Sequence, residues 1–298
     1  MTILRKTSRE RAQLGQLALV LSLVACAPAF LVGCPNQDAK SALTYTQDAK
    51  RSYDEAMEEF KAHNWVESQN LFREVKRKYS YSKFAALSEL RIADADFEQE
   101  KYLESIREYR QFVHDHRSDA EGVAYARSRI AEAQYHQISE SIILPSADER
   151  DQATALDAYK ELRGYVSDYP TARETDKIKG LLRDVTARLI RHELYVARFY
   201  LNKDNFDAAV ARIEYALRNF AVRADVARLA DPKAKKRNVE GAAPSGLEAE
   251  ALLLLGETRL KMHQPDKAEV VFQAILRDFP ESGFVIPAQK YLDAMKHG

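Results

Sequence analysis

Cysteine is almost missing from this 298-residue chain: the two present, Cys26 and Cys34, both fall in the first 34 residues. No disulfide framework can staple the remaining residues, so they must be held by their own apolar core. Glycine and proline are sparse as well, at 10 and 9, which argues against many tight turns and for long helices. Nor is there an excess of either charge. Lys plus Arg and Asp plus Glu number 45 each, a formal net charge of zero. A nucleic-acid binder would show a basic excess or stripe, because phosphate attraction supplies most of its affinity. Glycines never come as G-x-G and no Walker-type loop occurs, so nucleotide binding has no support. The seven histidines are scattered. His114 and His116, two apart, fall on different faces of a helix, and His63 reads as a solvated cap before a turn at Asn64. The many carboxylates read as surface partners for Lys and Arg at helical spacing. The expectation is no enzyme, no metal, no cofactor, no nucleic acid and no small-molecule substrate.

The features that are present begin with an address. Arg5, Lys6, Arg9 and Arg11 precede an apolar run from Leu14, the pattern of an export signal. Leu31-Val-Gly-Cys34 and Leu23-Val-Ala-Cys26 each resemble a bacterial lipobox, in which a thiol behind a small residue is acylated and the chain cut before it. Cys34 is favoured: it is followed by the polar stretch Pro35–Lys40, whereas cleavage at Cys26 would leave an apolar start. Cys26 stays open as the alternative, since it gives the apolar run its usual length. An uncleaved membrane helix over 14–33 is the plain alternative to both. The domain boundaries expected are a signal peptide at 1–33, a lipidated tether at 34–46 and a helical domain at 47–298.

A repeat runs through that domain. Small residues Ser68, Ser105, Ala158, Ala209 and Ala268 each follow a similar segment, for example Trp65-Val-Glu and Tyr102-Leu-Glu. Four residues later come Phe72, Tyr109, Leu162, Ile213 and Phe272; seven later, Val75, Phe112, Tyr165, Ala216 and Ile275; eleven later, Tyr79, His116, Tyr169, Phe220 and Phe279. Offsets of 4, 7 and 11 trace one face of a helix. Twelve residues before the small residue lies another small one: Ala56, Ala93, Ala197 and Gly256. This is the tetratricopeptide pattern. The fold class expected is therefore all-α, a superhelical solenoid of about five helix pairs; unrelated amphipathic helices in a bundle would not keep these offsets. Copies are spaced by 37, 53, 51 and 59 residues, so extra chain is expected: a loop at 137–152, one long helix over 172–202, and a mobile loop at 221–246. The basic run from Lys233 to Arg237 reads as a solvated part of that loop, or as a contact for acidic lipid or a partner.

Stacked pairs present a concave binding surface lined by the first helix of each pair. The first pair would offer Lys50, Tyr53, Met57 and Phe60, and the second Leu87, Leu90, Asp94 and Phe97. Aromatic and methionine-containing surfaces of this kind suit a docking peptide. Packing against the next repeat is the competing role for the same side chains.

After Cys34 the chain resembles the BamD (ComL) family of outer-membrane β-barrel assembly lipoproteins. Tyr79-Ser-Tyr-Ser-Lys-Phe84 is similar to the family's Tyr-Pro-Phe-x-x-Tyr segment, with Ser80 in place of the proline. Glu193–Tyr200 and Phe206–Ile213 look like the family's Val-Ala-x-Tyr-Tyr stretch and later Arg. The loop at 221–246 is longer than the family leads one to expect. The resemblance implies a lipid-anchored scaffold on the periplasmic face of the outer membrane. It would bind the barrel-shaped assembly protein through its C-terminal repeats, with Arg212 near that surface. Nascent outer-membrane proteins would meet the N-terminal repeats, with Tyr81 and Phe84 near the pocket. A scaffold for a pilus or cell-wall machine shares the general pattern, and an envelope hydrolase would need paired carboxylates converging in a cleft.

Overall fold

The computed structural model describes residues 37–138, 151–221, 226, 227, 229 and 245–297, with side chains from Ser41 onward. Among the described residues there are eleven helices and no strand. They are α1 (Gln37–Lys61), α2 (Trp65–Lys78), α3 (Lys83–Glu98), α4 (Tyr102–Asp115), α5 (Ala120–His136), α6 (Ala153–Asp168), α7 (Thr175–Leu201), α8 (Phe206–Phe220), α9 (Glu248–Lys261), α10 (Pro265–Asp278) and α11 (Val285–His297). No described helix is long and apolar enough to cross a membrane; the stretch 14–33, Cys26 and Cys34 lie outside the described residues. So do nearly all of the loop expected at 221–246 and residues 139–150 of the one at 137–152.

The chain divides into two compact units, Met1–Arg51 and Ser52–Gly298. The described part of the first is the opening of α1, which starts at Gln37, inside the span expected for the tether. Its side chains are mostly exposed, Leu43 among them, and Arg51 pairs with Asp48 one turn earlier at 2.5 Å.

In the second unit each helix from α2 to α11 packs against the next, while α3 touches α5, α5 touches α7 and α7 touches α9. The odd-numbered helices thus form one layer, the order of a tetratricopeptide solenoid, and the fold is the all-α one expected. The residues at offsets of four and seven point inward without exception: Phe72, Tyr109, Leu162, Ile213 and Phe272 are fully buried, as are Val75, Phe112, Tyr165, Ala216 and Ile275. The small residues that head the register are buried too, and where they are serines the hydroxyl donates back within its helix, Ser68 to the Trp65 carbonyl at 2.9 Å and Ser105 to the Tyr102 carbonyl at 3.0 Å. Buried hydroxyls need such partners.

The turns repeat as faithfully as the helices. Between the helices of a pair, His63, Glu100, Asp204 and His263 sit at φ of 61°, 61°, 53° and 56°, each five residues before its small residue. The next amide then reaches back to close the helix: Asn64 to the Glu59 carbonyl, Lys101 to Asp96, Asn205 to Tyr200 and Gln264 to Arg259, at 2.9–3.0 Å. This is the left-handed helix stop usually made by glycine, here made by polar residues at a cost of about 1–2 kcal/mol each. Between pairs, Tyr79, His116, Tyr169 and Phe279 all cap their helix by donating to the carbonyl of the buried residue at offset seven. Helix α7 has 27 residues, the long helix expected, and its added turns carry Ile178, Leu182 and Val185 into the core shared with α6. Beyond the five pairs lies α11, a terminal helix packed on α10 that the repeat register does not announce.

Gly256 shows how tight the fifth pair is. A Cβ placed there would lie 2.3 Å from the Phe272 ring. That ring is fully buried and stacked on Tyr291, with centroids 5.0 Å apart and planes 6° from parallel, so it has little room to yield. Helix propensity alone would favour alanine by about 1 kcal/mol, but overpacking costs about 1–3 kcal/mol. Gly256→Ala is therefore expected to lower the urea midpoint of the far-ultraviolet circular dichroism transition, and Gly256→Val to lower it further. An unchanged midpoint for both would mean that Phe272 moves freely.

Candidate binding groove

The inner layer presents different surfaces along its length. In the first pair, Tyr53 is half-buried, with its ring 5.4 Å from Phe72 and 5.5 Å from Phe84. Phe60 packs edge-on against Trp65 at 5.1 Å and lies 6.4 Å from Phe72. Met57 joins the same cluster around Ala56, Phe72 and Ile92. Each of the three gives one side to the core and keeps the other accessible. Phe84 and Leu90 are buried, at 8% and 3% exposure, so they shape the wall rather than offer a free face. Tyr81, in the turn before α3, is 97% exposed. Phe97 is partly buried and its face is covered by the Arg129 guanidinium, 3.7 Å from the ring centroid. Arg212 on α8 is about half exposed and pairs with the buried Glu193 of α7 at 3.4 Å.

Asp94 differs most from the sequence expectation. Its place in the repeat register assigns it to the groove surface, yet it is only 2% exposed, because it is the hub of a polar network. Arg91 holds one carboxylate oxygen at 2.8 Å. The hydroxyls of Tyr125, at 2.8 Å, and of Tyr109 donate to the other, which lies 3.6 Å from Arg129 Nε. Arg129 also donates to the Tyr109 oxygen at 3.3 Å and pairs with Glu98 at 3.1 Å and Glu132 at 3.2 Å. Glu132 in turn takes Lys177 of α7 at 2.8 Å. One charged chain thus crosses α3, α4, α5 and α7. Burial first, and the Asp94 charge second, push the phenols of Tyr109 and Tyr125 well above their ordinary range. Burial, the largest influence, opposes the charge on Arg91, but the Asp94 carboxylate together with the phenols of Tyr125, Tyr53 and Tyr109 outweighs it and keeps that guanidinium protonated. From the sequence, Tyr109 is only an inward aromatic; its hydroxyl, which must find a partner once buried, is the signal that points to Asp94.

Beside this hub a cavity of ≈ 580 Å³ opens between α3 and α5, with Leu87, Leu90, Arg91, Gly122, Tyr125 and Arg173 among its lining residues. It combines the apolar Leu87 and Leu90 with two guanidiniums, of which Arg91 is already engaged, and with the carboxylates of Asp119, Glu121 and Glu174, a mixed lining that suits a peptide segment. The second pair also holds a carboxylate raised by burial, and then by the Asp96 charge: Glu108. It lies among Arg73, Arg107 and Lys76 and takes no part in lining the recess. Among the described residues no three His, Cys, Asp or Glu side chains gather as they would around a metal.

The sequence that forms these helix pairs matches known families. The family model YfiO, described as outer membrane lipoprotein, matches residues 45–240. The chain belongs to that family. A tetratricopeptide-repeat model matches residues 250–282, which cover α9 and α10. The outer membrane protein assembly factor BamD of Caulobacter vibrioides is 26% identical over 238 residues, spanning 80% of this chain and 73% of that protein. The factor of the same name from Neisseria gonorrhoeae is 22% identical over 281 residues, spanning 91% and 92%. The region matched to the YfiO family runs from α1 through α8 and so includes the whole Asp94 network.

Stability measurements probe that network in two ways. Asp94→Ala strands Arg91 and two phenols, and removing one partner of a buried ion pair typically costs about 3–5 kcal/mol. Loss of that size in urea denaturation is expected, with Asp94→Asn milder; a change below about 1 kcal/mol for Asp94→Ala would mean that water replaces the carboxylate. The second measurement concerns alkali. Tyr53, Tyr109 and Tyr125 hold their protons in the native state past the ordinary phenol pKa near 10. Their contribution is complete below about pH 10, the unfolded value, and is lost as pH rises through the raised native values. The urea midpoint should fall as pH rises from about 10 to about 12, and less steeply in Tyr125→Phe.

Proposed function

We propose that this chain is a lipid-anchored scaffold of the machinery that assembles β-barrel proteins in the outer membrane, acting by binding and not by catalysis. The observation that carries the proposal is coverage: relatives named outer membrane protein assembly factor BamD align with up to 91% of the chain, and the family is one of outer membrane lipoproteins. Residues 1–33 would be the signal, Cys34 (or else Cys26) the acylated anchor, 34–46 the link to the repeats at 47–298, and the periplasm the side faced. Multiple acyl chains would make the attachment lasting, where one chain holds weakly.

The two ends of the repeat array would divide the work. Nascent outer-membrane proteins would meet the first pairs, where Tyr53, Met57 and Phe60 keep an accessible side and Tyr81 projects into solvent. Phe84, Leu90 and Phe97 would support that surface from behind. The barrel assembly protein would dock on the later pairs, where Arg212 is half exposed with only a 3.4 Å contact to Glu193 to give up. No cofactor other than the covalent lipid enters this scheme.

Affinity purification of the tagged chain from detergent-solubilised envelopes, with mass spectrometry of partners and of the mature N-terminus, tests it. Co-purification of a large β-barrel assembly protein, weakened in Arg212→Ala, with acylated Cys34, is the expected result. Recovery of pilus or cell-wall proteins in its place would leave the anchor and the repeats standing and overturn the assembly role.

A further inference from the structure

A second cavity, of ≈ 420 Å³, lies between the end of α5 and the middle of α7, away from the Asp94 hub. One wall is apolar, made by Ile138, Val185 and Tyr135. Facing into it are three charged positions of α7, Asp184, Arg188 and Arg191, whose spacing of four and then three residues puts them on one face. His136 forms the rim, held by a near-parallel stack on Tyr102 with centroids 5.4 Å apart and planes 13° from parallel.

The arginines of this region differ in how they are satisfied. Arg198 is paired with Glu250, Arg212 with Glu193 and Arg259 with Glu214. Arg188 donates to the Gln152 side chain at 3.3 Å. Arg191 is exposed and has no carboxylate partner among the described residues, while Asp184, two turns away, lies nearer Arg183 at 3.8 Å. A guanidinium offers a planar fork of donors that matches a carboxylate with two parallel hydrogen bonds. An apolar wall beside it would take a neighbouring hydrophobic side chain.

We infer that this cavity is a docking site for a partner-protein segment that carries an apolar residue next to a carboxylate, with Arg191 as the residue that reads the carboxylate. The charge pattern favours a peptide over a lipid surface. A headgroup layer would meet an unbroken patch of cations, whereas here Arg188 and Arg191 share the lining with Asp184, which repels a phosphate but can accept a backbone N–H of a peptide. The site goes beyond the assembly role proposed for the chain, and its failure would leave that role untouched.

The test is fluorescence anisotropy on the full chain in detergent, using a labelled hexapeptide with a central Phe-Glu pair and its Phe-Gln counterpart. The Glu peptide should bind about tenfold more tightly, as a charge-assisted pair predicts, and the preference should fade with added salt. Arg191→Ala should erase the preference. Because Arg191 is exposed, the circular dichroism of that variant should match that of the unaltered chain, and Arg191→Lys should keep a weaker preference through charge without the fork. Equal binding of both peptides, or a preference that survives Arg191→Ala, would overturn the site. Arg191-dependent capture of phosphatidylglycerol vesicles in place of the peptide would overturn it in favour of a lipid headgroup.

Discussion

A carboxylate as buried as Asp94 has to be matched from every side, because an unpaired charge in the interior costs several kcal/mol. The matching groups come from three places in the chain: Arg91 one turn earlier on α3, Tyr109 on α4, and Tyr125 with Arg129 on α5. None of them can shift without leaving the charge exposed to an apolar surrounding. The second and third pairs are therefore fixed in rotation relative to each other more strictly than apolar packing alone would require. Hydrophobic contacts tolerate small slides; a carboxylate with one oxygen shared by two buried hydroxyls and the other facing a guanidinium does not. The cavity beside the hub, with Arg91 and Tyr125 in its wall, inherits that fixed geometry.

Elsewhere the array relies on repetition. Each pair contacts mainly its neighbours, so stability is distributed along the chain as a sum of local terms. Two turn devices hold the spacing constant. A residue at positive φ stops the first helix of a pair, and a capping aromatic or histidine returns the chain between pairs by bonding to the offset-seven carbonyl. The strain of four non-glycine residues in the left-handed region is set against helix ends that would otherwise leave carbonyls unsatisfied. The added turns of α7 leave both devices intact, with the Tyr169 cap before the helix and Asp204 at positive φ after it.

Much of this was legible before any coordinates. The offsets of four and seven identify ten buried residues because helix geometry leaves no other face for them, and small residues at the head of each register mark where helices approach closely, as Gly256 and Phe272 show. The turns were not legible, since glycine is the usual sign of a left-handed stop and here the position is held by His63, Glu100, Asp204 and His263. The groove was legible only in part. Register puts Leu90 and Asp94 on the inner layer, but whether an inner-layer side chain is accessible depends on the next helix over. Tyr125 and Arg129 sit 31 and 35 residues beyond Asp94 in sequence, and no local pattern ties them to it. A polar partner brought by a neighbouring repeat is invisible to periodicity, which reports a helix's face and not the groups that meet it.

That distinction bears on how a repeat array of this kind can present more than one surface. The residues that define the repeat, the small heads and their inward partners, are spent on holding helices together. The inner-layer positions between them are free to differ from pair to pair: tyrosine, methionine and phenylalanine in the first, a sealed ion network in the second, and Arg191, Tyr195 and Phe199 along α7, the last two exposed. Since packing terms are local, a change at one of these positions need not propagate past the adjoining pair. The exception is the Asp94 network, which ties α3 to α7 through Glu132 and Lys177. It joins the region with the half-buried aromatics to the helix that carries the open arginine, and it leaves the pairs after α7 outside its reach. Under the two-partner role proposed for the chain, a middle fixed by this network would let each end take its partner without disturbing the seat of the other.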